Sequence, residues 1–437
     1  MRAATSGKSR LLGLLAITVL AVGISGCSRR HGGPRPVAAA TTPVVAPTSR
    51  PAPPLSDGGV SLGAQAPCYT SLPASWRAAL HGSALWVDQW DHLSSGAPTP
   101  EGSGVLVEQD TANSATFSIA GRDHRVTEVL GQVPRPNGQG QYSYDAADAD
   151  HVAFVFNRSQ GDDASYQWDL YLYDRQDHRL SAVAHNPTAG GKPLPGGWVQ
   201  PVLTHDYLYW IQAGPDDKGW GGSQLMQYRF ADGRTRVLYR GLTEAFTPYG
   251  SEILFTALAP GAANYSPSSA TDPAGAPEVV QAVDQASGQP ATPPVGLTAG
   301  PDGANTMVSD GDLVVWNTWD GAVHAWRAGW QKTITLIPSF SNWPEAAKLG
   351  LGAPAMPRLS GHFLVWNPSS DYVLDLRTDS FAQLTSQTST EDVSGNWLSL
   401  ESYADAHAYD QAQRRIRFDE TLMNLSALPD LPGCGRT

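Results

Sequence analysis

Short apolar and aromatic runs, each usually preceded by a polar residue or a glycine, recur along the chain from about Ala84 onward. Their β-branched and aromatic residues favour strands, and no segment shows a long helical period. Seven such runs open a repeating unit, at residues 85–87, 152–156, 207–211, 253–255, 313–316, 363–366 and 397–400. The pattern therefore predicts an all-β domain.

A second strand, a tight turn and a third strand follow the opening run. The clearest case is the alternating segment 169–174, which is followed by a turn at 175–178 and a strand at 179–183. The seven openings lie on average about 52 residues apart, and a period of this size with about four strands indicates a propeller blade. We expect residues 67–437 to form one β-propeller, with seven blades preferred and six or eight possible. A pair of β-sandwiches is the alternative.

Some of these units resemble a known family. Residues 309–316, with the preceding Pro301-Asp302-Gly303, are similar to the blades of TolB-like propellers, and so is the stretch 171–174. The resemblance implies a propeller fold. No unit carries the full family pattern, so the resemblance implies nothing about partners.

The N-terminus has the features of an export signal. Arg2, Lys8 and Arg10 precede an apolar stretch at 11–24, which is too short to span a bilayer comfortably. The stretch ends in Ile24-Ser25-Gly26-Cys27, which resembles the bacterial lipobox. The resemblance implies that residues 1–26 are a signal peptide and that Cys27 receives lipid. We therefore expect an extracytoplasmic protein anchored to the cell membrane through Cys27. An ordinary signal peptide, or an uncleaved anchor, is the alternative.

Residues 27–66 form a segment rich in proline, alanine and threonine. It has no hydrophobic period and no aromatic residue, so it cannot bury a core and favours polyproline II. At roughly 3.1 Å per residue, it could hold a domain up to about 100 Å from the lipid. We expect a disordered spacer between the lipid and the propeller.

Charge excludes one class of partner. The chain carries a net charge of -12, and its first 66 residues are basic on balance, so the domain is more acidic still. Phosphate backbones repel such a surface, and we expect no nucleic acid among the partners. We expect a monomer.

Three cysteines occur in the chain. If Cys27 is lipidated, Cys68 and Cys434 remain, near the two ends of the domain. Disulfides persist outside the cytoplasm, and the first and last blades of a propeller meet, so we predict a Cys68–Cys434 bond. Two free thiols are the alternative. So few cysteines, without a Cys-x-x-Cys motif, argue against structural zinc.

A search for catalytic motifs finds none that is specific. His151, His205 and His362 occupy similar places in three repeats, and we expect them to be turn residues rather than a ring of ligands around the channel. Four acidic pairs are expected to be solvated charges in loops: Asp148/Asp150, Asp162/Asp163, Asp216/Asp217 and Glu391/Asp392. We therefore expect no catalytic residue, no metal and no cofactor.

Tryptophan is abundant, with 14 in the chain. Five fall in predicted inner strands and are expected to pack between blades. Five others fall in predicted loops: Trp198, Trp220, Trp319, Trp330 and Trp343. Exposed indole rings stack on sugars or anchor protein partners, so these five are the candidate ligand-binding residues. Burial at the faces of the ring is the alternative.

These expectations favour a non-catalytic binding or scaffolding module for a protein or an envelope glycan. Two alternatives stay open. One is an envelope glycoside hydrolase or lyase, in which channel-facing acids would do the chemistry. The other is a subunit of a membrane-associated assembly. Fold alone does not choose among them, because propellers serve many functions.

Overall fold

The structure of the domain, a computed structural model, describes residues 66–82, 84–87, 95–123, 125–135, 140–158, 167–194, 199–214, 223–260, 278–300, 303–339, 342–343, 356–366, 371–385, 389–403 and 418–434. The expected signal peptide, Cys27 and all of the expected spacer except Ala66 lie outside the described residues. Among the helices that are described, none is long and apolar enough to cross a membrane.

Seven blades of four antiparallel strands form the ring, which confirms the prediction of a seven-bladed β-propeller. The sheet of one blade gains a fifth, parallel strand, and a separate two-stranded hairpin follows another blade. Before the first complete blade come strand β1 (Cys68–Tyr69), helix α1 (Ala74–Gly82) and strand β2 (Ala84–Val87). Blade 1 consists of β3 (Ser95–Pro98), β4 (Gly104–Asp110), β5 (Ser114–Gly121) and β6 (Val126–Pro134). Blade 2 consists of β7 (Gln141–Ala147), β8 (His151–Asn157), β9 (Trp168–Asp174) and β10 (Arg179–His185).

A two-stranded hairpin, β11 (Thr188–Ala189) and β12 (Lys192–Pro193), follows blade 2. Blade 3 consists of β13 (Val202–Leu203), β14 (Tyr207–Ala213), β15 (Ser223–Arg229) and β16 (Arg234–Arg240). Blade 4 consists of β17 (Phe246–Tyr249), β18 (Glu252–Leu258), β19 (Glu278–Asp284) and β20 (Pro290–Ala291).

Blade 5 consists of β21 (Thr306–Asp310), β22 (Leu313–Asn317), β23 (Val323–Arg327) and β24 (Ile334–Ile337). Blade 6 consists of β25 (Arg358–Ser360), β26 (Phe363–Trp366), β27 (Tyr372–Asp375) and β28 (Ser380–Gln383). Blade 7 takes β29 (Ser389–Ser394), β30 (Trp397–Tyr403) and β31 (Phe418–Asn424) from the end of the chain, and a 3-10 helix (Leu425–Ala427) follows.

The core lies between neighbouring blades. Each of the seven buried apolar clusters draws its residues from two adjacent blades, so the clusters form a ring. Between blades 1 and 2, for example, the Phe117 and Phe154 rings stack with their centroids 3.9 Å apart. The cluster between blades 7 and 1 is the smallest, with Val105, Val107 and Leu422 as its buried members.

The opening runs of the sequence are the second strands of the blades. Six of the seven lie in β8, β14, β18, β22, β26 and β30, each preceded by an inner strand. The run at 85–87 is different, because it lies in β2 and pairs with β31 as the outer strand of blade 7. Blade 1 instead contains Val105-Leu106-Val107 in β4, a run that was not among the seven predicted openings.

Two features join the ends of the chain. Pairing of β2 with β31 completes blade 7 and closes the ring. One blade away, β1 pairs in parallel with β28, and Cys68 forms a disulfide with Cys434 across 366 positions of sequence. The predicted disulfide is therefore confirmed.

Candidate functional site

The two ends of the ring differ in the length of their connections. At one end, first and second strands are joined by short turns, as from Tyr249 to Glu252. At the other end, second and third strands are joined by longer segments in blades 2 to 7, as from Leu258 to Glu278 and from Ala213 to Ser223. Blade 1 is the exception, with a short connection from Asp110 to Ser114. We call these the tight-turn end and the long-loop end. Long connections over a regular scaffold are where binding residues usually lie.

A polar group lies on the innermost strands of blades 2, 6 and 7, beside the first strand of blade 1. We call Tyr142, Asp145, Arg358 and Asp392 the axial cluster; they come from β7, β25 and β29. Arg358 Nη2 donates to Asp392 Oδ1 at 3.0 Å, and the Ala97 amide donates to Asp145 Oδ2. Water reaches 22% of the Asp392 side chain and 15% of Arg358. The cluster is thus part of the channel wall, and its Asp392 and Arg358 side chains are still partly exposed to solvent.

Burial dominates the electrostatics of the axial cluster. Burial, and then the nearby Asp392 carboxylate, raises the pKa of Asp145 to about 8. Burial also raises the pKa of Asp392, against the opposing effect of Arg358. Although burial alone would lower the pKa of the Arg358 guanidinium, Asp392, Glu391 and Asp145 hold it above its usual value. At neutral pH the Asp145 carboxyl is therefore mostly protonated, beside the contact between Arg358 and Asp392.

This cluster corrects one expectation from the sequence. Glu391 and Asp392 were expected to be solvated loop acids, but both lie on the innermost strand β29, and Glu391 is buried. Asp145 and Arg358 were not among the candidate residues at all. A charged residue within the first strand of a blade is the signal that would have pointed to them. Such a residue is surrounded by the first strands of the neighbouring blades.

Two further carboxylates lie at the long-loop end between blades 4 and 5. Burial, and then repulsion from Glu278, raises the pKa of Glu244 to about 7, while a hydrogen bond from Trp319 Nε1 at 3.0 Å opposes the rise. Glu278 accepts the Ala304 amide at 3.0 Å, and burial raises its pKa. A side chain at Gly303, whose φ is +67°, would press on this carboxylate at 3.0 Å, so the close approach needs glycine. A pair of carboxylates beside an indole suits a positively charged group.

The candidate tryptophans lie in different places. Trp343 is buried, with its ring 5.4 Å from that of Phe381. Trp319 is half-buried at the long-loop end, whereas Trp330 is half-buried beyond the end of β23, at the tight-turn end. Trp198 and Trp220 lie outside the described residues. Ligand binding by these five residues stays a prediction, and the three that are described do not share one surface.

The three repeated histidines lie in or beside short turns at the tight-turn end, as expected. His151 stacks on Phe230 of the next blade with ring centroids 3.8 Å apart. His205 is exposed, and His362 approaches Asp430. Asp148 accepts the backbone amides of Asp150 and His151, so this acid shapes a turn. The pairs Asp162/Asp163 and Asp216/Asp217 lie outside the described residues.

One cleft of about 240 Å³ lies at the long-loop end of blade 2. Its lining consists of Arg158, Gln167, Asn186, Thr188, Gly191 and Pro193. Pockets that bury a drug-sized ligand are usually about 300–1,000 Å³ and mostly apolar. This small, polar cleft suits an ion or a polar side chain of a partner better.

Comparisons with known proteins find only distant likenesses, all of them to solved structures. No protein family and no curated protein matches the sequence. Among solved structures, the β-propeller domain of the Trilobed protease from Pyrococcus furiosus is 9% identical, with 67% of this chain and 82% of that chain covered and a TM-score of 0.43. BamB from Moraxella catarrhalis is 12% identical, with 76% and 86% covered and a TM-score of 0.41. An oligogalacturonate lyase in complex with manganese is 12% identical, with 76% and 89% covered and a TM-score of 0.44. Likenesses this distant say nothing about the activity of this chain.

Proposed function

We propose that this protein is a membrane-anchored extracytoplasmic lipoprotein whose propeller binds a protein or an envelope glycan at the long-loop end. The observation that carries the proposal is the difference between the two ends of the ring. Tight turns such as Tyr249 to Glu252 leave few residues to vary, whereas 19 residues separate Leu258 from Glu278. Glu244 and Trp319 lie at the same end and offer it charge and an aromatic ring.

Two observations support export and anchoring. The segment Ile24-Ser25-Gly26-Cys27 resembles a lipobox and follows an apolar stretch of signal-peptide length. The bond between Cys68 and Cys434 is of a kind that persists in oxidising compartments and is rare in the cytosol. Mass spectrometry of the protein from its native membrane tests the anchor. We expect a chain that begins at an acylated Cys27, and an unacylated chain that retains residues 1–26 would contradict this part of the proposal.

Site-specific photocrosslinking tests the binding end. A photoreactive residue at Asn113 or Asp320, both at the long-loop end, should crosslink to the partner in intact cells. Matched positions at the tight-turn end are His205 and Ser251, which are exposed. We expect adducts from the first pair and none from the second. Adducts from His205 and Ser251 alone would contradict the assigned end.

A second function is favoured by the axial cluster. Glycosidases need one carboxyl that holds a proton and one that is ionised, and environments that push two pKa values apart create such a pair. Asp145, with its pKa raised to about 8, fits the acid, and Asp392 beside Arg358 fits the carboxylate. An envelope glycoside hydrolase or lyase is therefore the second candidate.

Reducing-end release from purified envelope polysaccharides tests this candidate. If the protein is such an enzyme, activity should fall at least about a hundred-fold in both Asp145→Asn and Asp392→Asn. Asp206→Asn, at an exposed turn, serves as the matched control and should keep full activity. Activity that survives both axial changes, or no release by the wild-type protein, would exclude catalysis at this cluster.

A further inference from the structure

Three residues that are far apart in sequence meet at the tight-turn end of blade 6. His362 lies between β25 and β26, Asp375 ends β27, and Asp430 lies in the C-terminal segment beyond β31. His362 Nε2 is 3.0 Å from Asp430 Oδ1 and 4.0 Å from Asp375 Oδ1. All three donor atoms lie within 4.8 Å of one another. An ion between them would be roughly 2.0–2.6 Å from each donor after a small closure, which is the length of metal–ligand bonds.

Asp375 is the member of this group whose orientation the protein fixes. Its side chain is fully buried, and its two oxygens accept backbone amides, from Arg377 to Oδ1 and from Leu431 to Oδ2, each at 2.8 Å. These bonds hold the carboxylate in one orientation. Among the described residues, the His362 ring is the basic side chain that approaches Asp375, with Nε2 4.0 Å from Oδ1.

We propose that His362 Nε2, Asp375 Oδ1 and Asp430 Oδ1 bind a divalent transition-metal ion of the zinc type. One imidazole nitrogen and two carboxylate oxygens suit zinc, and a fourth position is left for water. The ion replaces the guanidinium of Arg377, whose Nη1 is 3.1 Å from Asp430 Oδ1. About a third of the Arg377 side chain is exposed, at 35%, so it can turn towards solvent when the ion binds.

The ion would fasten the C-terminal segment to blade 6. Asp430 lies four residues before Cys434, which is bonded to Cys68, so the metal and the disulfide hold the same segment. The ligands come from three separate segments, and only the folded chain brings them together. Binding therefore stabilises the folded state by mass action. No metal was expected from the sequence, because no two of these residues are near neighbours in the chain.

The test uses the oxidised domain without a histidine tag, stripped with EDTA and titrated with zinc. We expect one zinc per chain by calorimetry and a rise of roughly 3 °C in unfolding temperature at a hundred times the dissociation constant. His362→Gln and Asp430→Asn should lose both effects. Arg377→Gln removes the competing cation and should bind zinc several-fold more tightly, which a purely structural ion pair would not cause.

The matched control is His185→Gln. His185 Nδ1 is 2.5 Å from Asp169 Oδ1, and Arg158 pairs with the same carboxylate, so this group resembles the site but offers one carboxylate fewer. The control should keep the zinc response. The proposal would be overturned if His362→Gln responded to zinc as strongly as the wild-type protein, or if His185→Gln lost the response. It would also be overturned if the wild-type protein bound no zinc. An equal response to magnesium would overturn the assignment to the zinc class.

Discussion

Cys68 and Cys434 are bonded beside blade 6, one blade away from the place where β2 closes the ring. Their Cα atoms are 6.3 Å apart. The ring therefore has two separate closures. Strand β2 supplies the outer strand of blade 7 by backbone pairing, and the disulfide fastens both terminal segments against blade 6. Loss of one closure should leave the other in place.

Removal of the disulfide should lower stability without opening the ring. In the double variant Cys68→Ser and Cys434→Ser, we expect the free energy of unfolding to fall by roughly 2–5 kcal/mol, because the unfolded chain regains its freedom. Urea unfolding followed by circular dichroism measures the change. Wild-type protein with dithiothreitol should match the variant. An unchanged urea midpoint would show that the bond does not constrain the unfolded chain.

Trp76 fixes helix α1 against blades 6 and 7. Its ring is fully buried, lies 5.1 Å edge-on from Phe363, and donates its Nε1 hydrogen to the Pro429 carbonyl at 2.9 Å. Trp76→Ala should cost about 3–5 kcal/mol of unfolding free energy, since a large cavity is left. Trp76→Phe keeps most of the packing and should lose less. Equal losses in the two variants, measured by chemical denaturation, would place the importance of Trp76 in its hydrogen bond.

Arg358 pairs with the partly exposed Asp392 carboxylate. Arg358→Met removes the cation and leaves the acid without its partner, which should cost up to about 3 kcal/mol, less than breaking a fully buried pair. The double variant Arg358→Met with Asp392→Asn removes both charges and should be more stable than Arg358→Met alone. Denaturant unfolding of the four proteins in this cycle gives the coupling energy. A double variant that is as unstable as the sum of the singles would show that the two charges do not interact.

Much of the fold could be predicted from the sequence because blades repeat. Aromatic and β-branched runs such as 207–211 mark the second strand of a blade, which is buried on both faces. The prediction that the run at 85–87 opens a blade was wrong for a physical reason. Its apolar pattern fits any strand, and only long-range pairing with β31 decides that it completes the last blade. Cys68 and Cys434 could be paired from the sequence because a closed ring brings its ends together.

The candidate sites were harder to predict, because residues of different blades form them. Asp145 and Asp392 are 247 positions apart in sequence, and a local pattern cannot show that they meet at the channel. The same holds for His362, Asp375 and Asp430. For the tryptophans the local pattern is also insufficient, since a position near glycine or proline does not distinguish the buried Trp343 from the half-buried Trp319.

The Asp145 carboxyl should make stability depend on pH. Its pKa is about 8 in the folded protein, whereas the ordinary value of an aspartic acid is 3.8, so between these values the folded state keeps a proton that the unfolded chain releases. This contribution is therefore complete below about pH 4 and is lost as the pH rises towards about 8. Between these pH values the unfolding free energy should fall by at most about 1.4 kcal/mol per pH unit.

Asp145→Asn cannot titrate and should flatten the decline in unfolding free energy between about pH 4 and pH 8. At about pH 8 the variant should be more stable than the wild-type protein, because its amide oxygen can still accept the Ala97 hydrogen bond and carries no charge beside Asp392. Urea unfolding at several pH values measures both effects. Asp206→Asn, at an exposed turn, is the control and should keep the wild-type slope. A slope that is the same in Asp145→Asn and in the wild-type protein would mean that Asp145 is ionised in the folded state, and the protonated carboxyl would then have to be sought at Asp392.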